Sequence, residues 1–183
     1  MAATKTPICD FNWSGPDFSL LGTDGKVWSR SDTMGPSGHL IIFMCNHCPY
    51  VQSILDELLE DISYLETQGI KSVAISANDA IEYPEDSLEN MKLLAKRKKF
   101  SFPYLYDESQ DVARAYGAVC TPDFFGFNSK NKLQYRGRHS SSGKEIVPGA
   151  KKELREAMIL VSKTGKGPEE QHPSIGCSIK WKN

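Results

Sequence analysis

The chain has 183 residues, 39% hydrophobic and 25% charged, and its 22 basic and 23 acidic side chains leave a net charge of −1. That balance lacks the basic footprint of a nucleic-acid binder, and no apolar run approaches the roughly 20 residues of a membrane span. At about 150 residues per domain, a single domain over residues 1–183 accounts for the length. A chain of this size buries roughly 70% of its unfolded surface, so it needs neither a disulfide framework nor a metal to fold.

In chain order, Asp17 to Leu21 and Lys26 to Ser29 flank Gly22-Thr-Asp-Gly25 and predict a β-hairpin. Leu40-Ile-Ile-Phe-Met44 is a continuous apolar run, the pattern of a strand buried on both faces. Val51, Ile54, Leu55, Leu58, Leu59, Ile62 and Leu65 have the spacing of an amphipathic helix that Gly69 ends, with Asp56, Glu57, Glu60 and Asp61 on its other face. Ile70 to Ser76 is a second buried strand, so this stretch forms a βαβ unit of the kind that builds parallel sheets. Asp86 or Ser87 is placed to cap a helix carrying Leu88, Met91, Leu94 and Ala95. Pro103 to Tyr106 predicts a short strand, and Ser109 to Tyr116 a short helix closed by Gly117. Phe124 to Phe127 and Leu133 to Tyr135 flank Asn128-Ser-Lys-Asn131 as a second hairpin. A last helix is predicted over 150–162, and Thr164-Gly-Lys-Gly-Pro168 opens a tail over 164–183. The pattern is α/β, a sheet with helices on both faces.

Five cysteines, Cys9, Cys45, Cys48, Cys120 and Cys177, stand in a domain whose stability does not require them. The first eight residues carry no apolar h-region, so the sequence predicts no secretory signal and a cytoplasmic, reducing setting. There, paired cysteines are redox-active or metal-binding, and an odd count fits a disulfide scaffold badly. Cys45-Asn46-His47-Cys48-Pro49 stands where the buried strand turns into the amphipathic helix. Helix-terminal amides favour negative charge, so Cys45 at the cap is expected to lean toward thiolate, with His47 adding support when protonated. Cys48 is spaced to attack a mixed disulfide formed at Cys45. Pro49 takes a first-turn position whose amide has no helical partner. A structural zinc site needs four ligands, usually two spaced pairs, and there is no second Cys-x-x-Cys.

A strand, a Cys-x-x-Cys, a helix, and a later Thr121-Pro122 followed by a hairpin resemble the thioredoxin fold. Phe43 to Tyr50, Ala77-Asn-Asp79, Tyr83-Pro-Glu-Asp86, Phe102-Pro-Tyr-Leu105, Thr121-Pro-Asp123, Gly137-Arg138 and Ile175 to Trp181 are similar to segments of a group of small bacterial proteins. That group is peroxiredoxin-like and thioredoxin-like (redoxin, AhpC/TSA-like). The resemblance implies a central mixed sheet with helices on both faces, an N-terminal β-hairpin extension and a C-terminal tail. It implies a thiol-disulfide oxidoreductase with Cys45 as nucleophile and Cys48 as resolving thiol, Asn46, His47 and Pro49 tuning the thiols or lining the cleft beside them. Pro122 matches a position that is cis in this fold, and Thr121 would offer backbone groups to an extended substrate, a β-augmentation contact. Arg138 would approach the thiolate, with Arg136 as the nearby alternative. The implied partners are protein or small-molecule disulfides and an external thiol donor, with no cofactor, nucleic acid or membrane.

Two departures stand out. Peroxiredoxins carry Pro-x-x-x-Thr/Ser-x-x-Cys; aligned on Cys48 those positions are Ile41 and Cys45, and on Cys45 they are Gly38 and Ile42. Thioredoxins carry Trp before the first cysteine and Gly-Pro within the motif, where this chain has Met44 and Asn46-His47, which implies a different potential. Of the remaining cysteines, Cys177 is read either as packing or as a mobile third thiol on the tail. Cys120 is read as packing beside the pair or as an accessory thiol, and Cys9 has no assigned role. Lys96 to Lys99 complements a helix C-terminus, and His39, His139 and His172 read as ordinary polar residues. Two alternatives stay open: a peroxiredoxin-like thiol peroxidase with antioxidant activity, and a copper- or zinc-binding protein using the dithiol and a histidine.

Overall fold

In the computed structural model, which describes residues 3–142 and 147–182, three short strands come first: β1 (Ala3–Lys5), β2 (Ser19–Gly22) and β3 (Val27–Ser29). The βαβ unit follows as β4 (Gly38–Phe43), α1 (Pro49–Thr67) and β5 (Ile70–Ser76). Then come α2 (Leu88–Lys98), β6 (Tyr104–Tyr106), α3 (Asp111–Tyr116), β7 (Cys120–Thr121), β8 (Asp123–Asn128) and β9 (Leu133–Tyr135). α4 (Glu153–Thr164) and β10 (Ile175–Ser178) complete the chain. Among the described residues, no helix is long and apolar enough to cross a membrane.

The main sheet has the order β3-β2-β6-β5-β4-β8-β9. Its centre, β4, β5 and β6, is parallel; the β8-β9 and β2-β3 hairpins extend it antiparallel on either side. Alternation along β4 explains why every one of its residues is buried. Leu40 and Ile42 face a core with α1, α2 and α4, whereas Ile41 and Phe43 face a second core with α3, Phe18 and Ile179. Gly126 in β8 lets α4 approach: a Cβ there would stand 2.3 Å from the Met158 sulfur. Ser87, not Asp86, caps α2, its Oγ accepting from the Asn90 amide at 3.4 Å.

Of the two readings of Cys177, the structure gives the packed one rather than a mobile tail thiol: β10 lies between β1 and β7 in a second, three-stranded antiparallel sheet, with Cys177 opposite both Ala3 and Thr121. Ser174 and Thr6 hold it there through hydrogen bonds of 3.0 Å, and Ile179 is buried beneath it. One expectation needs correction: Asp61 does not lie on the solvent face of α1. It is fully buried and accepts from His139 Nε2 at 2.9 Å, Lys152 Nζ at 3.1 Å and Arg155 Nη1 at 3.3 Å. This cluster ties α1 to α4 and buries His139, which the sequence had suggested was an ordinary polar residue. Burial raises the Asp61 pKa, but its hydrogen bonds to His139 and Lys152 outweigh that and hold it below the usual carboxylate range.

Removing one partner of a buried ionic cluster leaves the others desolvated and unpaired. Asp61→Ala is therefore expected to cost about 3–5 kcal/mol. Asp56→Ala removes an exposed pair with Lys98 (2.6 Å) from the same helix and is expected to cost under about 1 kcal/mol. Denaturant unfolding of the two variants checks the contrast; equal midpoints would refute it.

Candidate active site

The apolar core strand β4 ends at Phe43, and Pro49 starts α1, so Met44 to Cys48 must turn the chain within five residues. Pro49 occupies the first helical turn, as its missing amide hydrogen allows, and Cys48, with φ −68° and ψ 120°, is the N-cap. The cap is therefore Cys48 rather than Cys45, which corrects the sequence reading. Both sulfurs are enclosed: Cys45 is 1% exposed and Cys48 0%.

The dipeptide between them is held by Asp86. One of its carboxylate oxygens accepts from the Asn46 amide at 2.8 Å and the His47 amide at 3.2 Å. The other accepts from His47 Nδ1 at 2.6 Å and Asn78 Nδ2 at 2.7 Å. Asn46 also donates through Nδ2 to the Glu85 carbonyl, and its Oδ1 accepts from the Tyr104 hydroxyl at 3.0 Å. Tyr83 stacks on the His47 ring with centroids 5.6 Å apart. Asp86, Asn78, Tyr83 and Tyr104 were not identified as site residues from the sequence. Three of them lie in the segments Ala77 to Asp79 and Tyr83 to Asp86 that carry the family resemblance, and that was the available signal.

The two sulfurs differ electrostatically. The Cys45 thiol donates toward Cys48, and the Cys48 thiol is held far below its usual range, at about 4, chiefly by that interaction and against the cost of its burial. The Cys177 and Val51 amides push it the same way. The Thr121 carbonyl, 3.0 Å from the Cys48 sulfur, favours the thiol form, but the Cys45 thiol, the Thr121 hydroxyl and the two amides together outweigh it. Cys45 is pushed up, first by its role as donor to Cys48, then by burial and by the Asp86 charge. In the reduced pair these interactions favour the thiolate at Cys48 and the thiol at Cys45.

Thr121 touches both sulfurs, its Oγ1 lying 3.5 Å from Cys45, and its bond to Pro122 is cis. The backbone it was expected to offer to an extended substrate is covered instead by β10, which pairs with it through Cys177. Beside Pro122 a cleft of about 190 Å³ opens, lined by Tyr50, Ile54, Arg138, Ser174 and Ile175 among others. Arg138 does not reach the thiols: it forms a two-bond pair with Glu153, at 2.8 and 2.9 Å. Arg136 is committed to the buried Asp123 and to the Gly117 carbonyl. Cys120 is buried on the strand position next to Thr121, paired with Ser178 and near enough to feel the Cys48 charge; burial pushes its thiol up. Cys9, half-buried, is pushed up to about 11 by burial.

Among the described residues, one group could converge on a metal ion: Cys45, His47 and Asp86, with ligand atoms within 4.8 Å of one another. Four hydrogen bonds already occupy both Asp86 oxygens, so a cation there would have to displace the contacts that shape the turn.

The AhpC/TSA family model matches residues 13–136, a span that contains the cysteine pair and ends before β10. Two solved structures match almost end to end. An uncharacterized conserved protein from Geobacillus kaustophilus is 42% identical, with 100% of this chain and 97% of that one covered and a TM-score of 0.94. A hypothetical protein from Sinorhizobium meliloti 1021 is 35% identical, with 98% of each chain covered and a TM-score of 0.91. The thioredoxin domain of a thiol-disulfide oxidoreductase from Bacteroides vulgatus is 16% identical, covers 69% of this chain and 86% of its own, and has a TM-score of 0.58, a likeness of fold. No curated protein matches.

The charge distribution predicts a titration. Because the Cys48 pKa is lowered, its thiolate is present above about pH 4 and is lost as pH falls through that value. The ultraviolet thiolate absorbance of the reduced protein is expected to persist at neutral and mildly acidic pH and to vanish at neutral pH in Cys48→Ser. A single transition near the ordinary thiol value of about 8.5 would contradict this assignment.

Proposed function

The chain belongs to the AhpC/TSA family of thioredoxin-fold proteins, and on that premise we propose that it is a thiol-disulfide oxidoreductase working through Cys45 and Cys48. The observation that carries this reading is the pair of interacting sulfurs at the N-terminus of α1, sharing one proton across the cap. Cys48 is walled in by Thr121 and the tail strand, whereas Cys45 lies on the His47 and Asp86 side, so Cys45 is the attacking sulfur. On attack its proton passes to Cys48. The Cys45 sulfur bonds to one sulfur of the substrate disulfide, the substrate's S–S bond breaks, and the first substrate thiolate leaves and takes the proton from Cys48, which is again a thiolate. Cys48, as thiolate, then attacks Cys45 in the mixed disulfide; the Cys45–Cys48 bond forms and the second substrate thiol is released. An external thiol donor returns the pair to the dithiol. The same reading places the protein in a reducing compartment, the cytoplasm, with protein or small-molecule disulfides as substrates.

One observation favours a second reading, a thiol peroxidase. The hydroxyl missing from the local sequence is supplied from across the fold, by Thr121 Oγ1 at 3.5 Å from Cys45. Against it, both nearby arginines are committed to carboxylates, so no guanidinium faces the sulfurs.

Disulfide reduction assayed with an excess of dithiol is expected to disappear in Cys45→Ser and to stall in Cys48→Ser as a trapped mixed disulfide, visible by mass. Normal turnover by Cys45→Ser would end the proposal. Hydroperoxide consumption far faster than that of free cysteine, lost in both Cys45→Ser and Thr121→Val, would favour the peroxidase instead.

A further inference from the structure

A third sulfur adjoins the pair. Cys177 stands opposite Thr121 in the β10–β7 ladder, and Thr121 is the residue whose hydroxyl touches Cys45 and whose carbonyl lies 3.0 Å from Cys48. Cys45, Cys48 and Cys177 belong to one buried cluster, and the Cys177 thiol and amide both reach the Cys48 sulfur. Strand alternation explains why this is Cys177 and not Cys120: Cys177 and Thr121 share a face, whereas Cys120 pairs with Ser178 on the other. The approach is made possible by Gly176, where a Cβ would stand 2.0 Å from the Thr121 carbonyl oxygen, so no larger residue fits without moving β10 away. The tail strand therefore lies where an extended substrate was expected, and it carries a cysteine at the point of exchange.

We propose that Cys177 is an internal exchange partner that takes the disulfide over from Cys45. The inference rests on the dithiol reading above, which supplies the Cys45–Cys48 bond. Cys177 gives its proton to solvent and its sulfur attacks Cys48; the Cys48–Cys177 bond forms as the Cys45–Cys48 bond breaks. Cys45 leaves as a thiolate and takes up a proton. One disulfide and one thiol are present before and after, so the step needs no oxidant. Its result is an oxidised protein whose attacking sulfur is again a free thiol, with the oxidising equivalent stored beneath the tail strand until the donor arrives. Cys177 lies outside the span matched by the family model, so the device belongs to this chain's tail rather than to the shared domain.

Disulfide mapping tests this on the full-length protein, poised in glutathione buffers of stepped ratio, acid-quenched, alkylated and digested. Cys45 and Cys48 are separated only by Asn46 and His47, so their disulfide stays within one peptide after trypsin, whereas a Cys48–Cys177 bond joins two peptides. The wild type is expected to give both species, the second with Cys45 alkylated. Cys45→Ser should still form the Cys48–Cys177 link, and Cys177→Ser should give no oxidised species with Cys45 alkylated. A Cys45–Cys48 disulfide with no Cys48–Cys177 peptide at any poise, in the wild type and in Cys45→Ser, overturns the exchange and leaves the oxidoreductase reading standing. Absence of the Cys45–Cys48 disulfide overturns that reading and the exchange together. A link from Cys48 to Cys120 in place of Cys177 overturns the assignment of the third thiol.

Discussion

Two consecutive amides of the turn between Cys45 and Cys48 end on one oxygen of Asp86, and the other oxygen holds His47 and Asn78. A fully buried carboxylate is costly to desolvate, and here four donors compensate it. Much else at the site follows from this anchoring. It fixes the spacing and orientation of the two sulfurs, because the backbone between them has no freedom left. It fixes the His47 ring through Nδ1, 2.6 Å from the second Asp86 oxygen. The negative charge of Asp86 adds to the Cys48 interaction and to burial, the larger causes, in pushing the Cys45 thiol up.

The thiolate is consequently stabilised by donors rather than by a cation. The arginines that the resemblance brought near the site are spent elsewhere, Arg136 on Asp123 and Arg138 on Glu153. Charge stabilised by a neighbouring thiol and by helix-terminal amides is readily redistributed, since moving one proton between two sulfurs relocates it. A guanidinium partner would instead fix the charge on whichever sulfur it faced. Disulfide exchange needs the nucleophilic role to pass from one cysteine to the other within a cycle, and the proton-sharing pair suits that requirement.

How much of this was legible in the sequence varies with the range of the interaction. Period and apolarity were enough for β4, α1 and β5, and for both hairpins, because those elements bury their own side chains locally. The cysteine pair and Pro49 were visible for the same reason, as neighbours in a row. Pro49 also held information that was not used: a proline in the first turn makes the preceding residue, Cys48, the cap. Asp86 looked like a helix cap because it precedes α2, but three of its four hydrogen bonds come from Asn46 and His47, about forty residues away and beyond any local pattern. Asp61 looked solvent-facing because a carboxylate on a helix normally is, and only tertiary contacts from His139, Lys152 and Arg155 make its burial possible. β10 gave no signal, since Ile-Gly-Cys-Ser is short, lacks apolar alternation and follows a glycine- and proline-containing stretch.

The placement of β10 changes what the site is. In a redoxin whose cis-proline backbone is open, an extended substrate can add as a strand and present its disulfide to the first cysteine. Here that backbone is already paired, and the residue laid across from Thr121 is itself a cysteine. A sheet edge that is covered from within is protected against indiscriminate strand addition. Recognition is then left to the cleft between Tyr50, Ile54 and Pro122, and to whatever reaches Cys45 from the His47 side. On the proposed dithiol reading, a Cys45 only 1% exposed favours a small or locally extended disulfide over the surface of a folded protein. The strand that narrows the entrance also carries a third thiol in reach of the Cys48 sulfur, so substrate exclusion and internal exchange arise from one structural element.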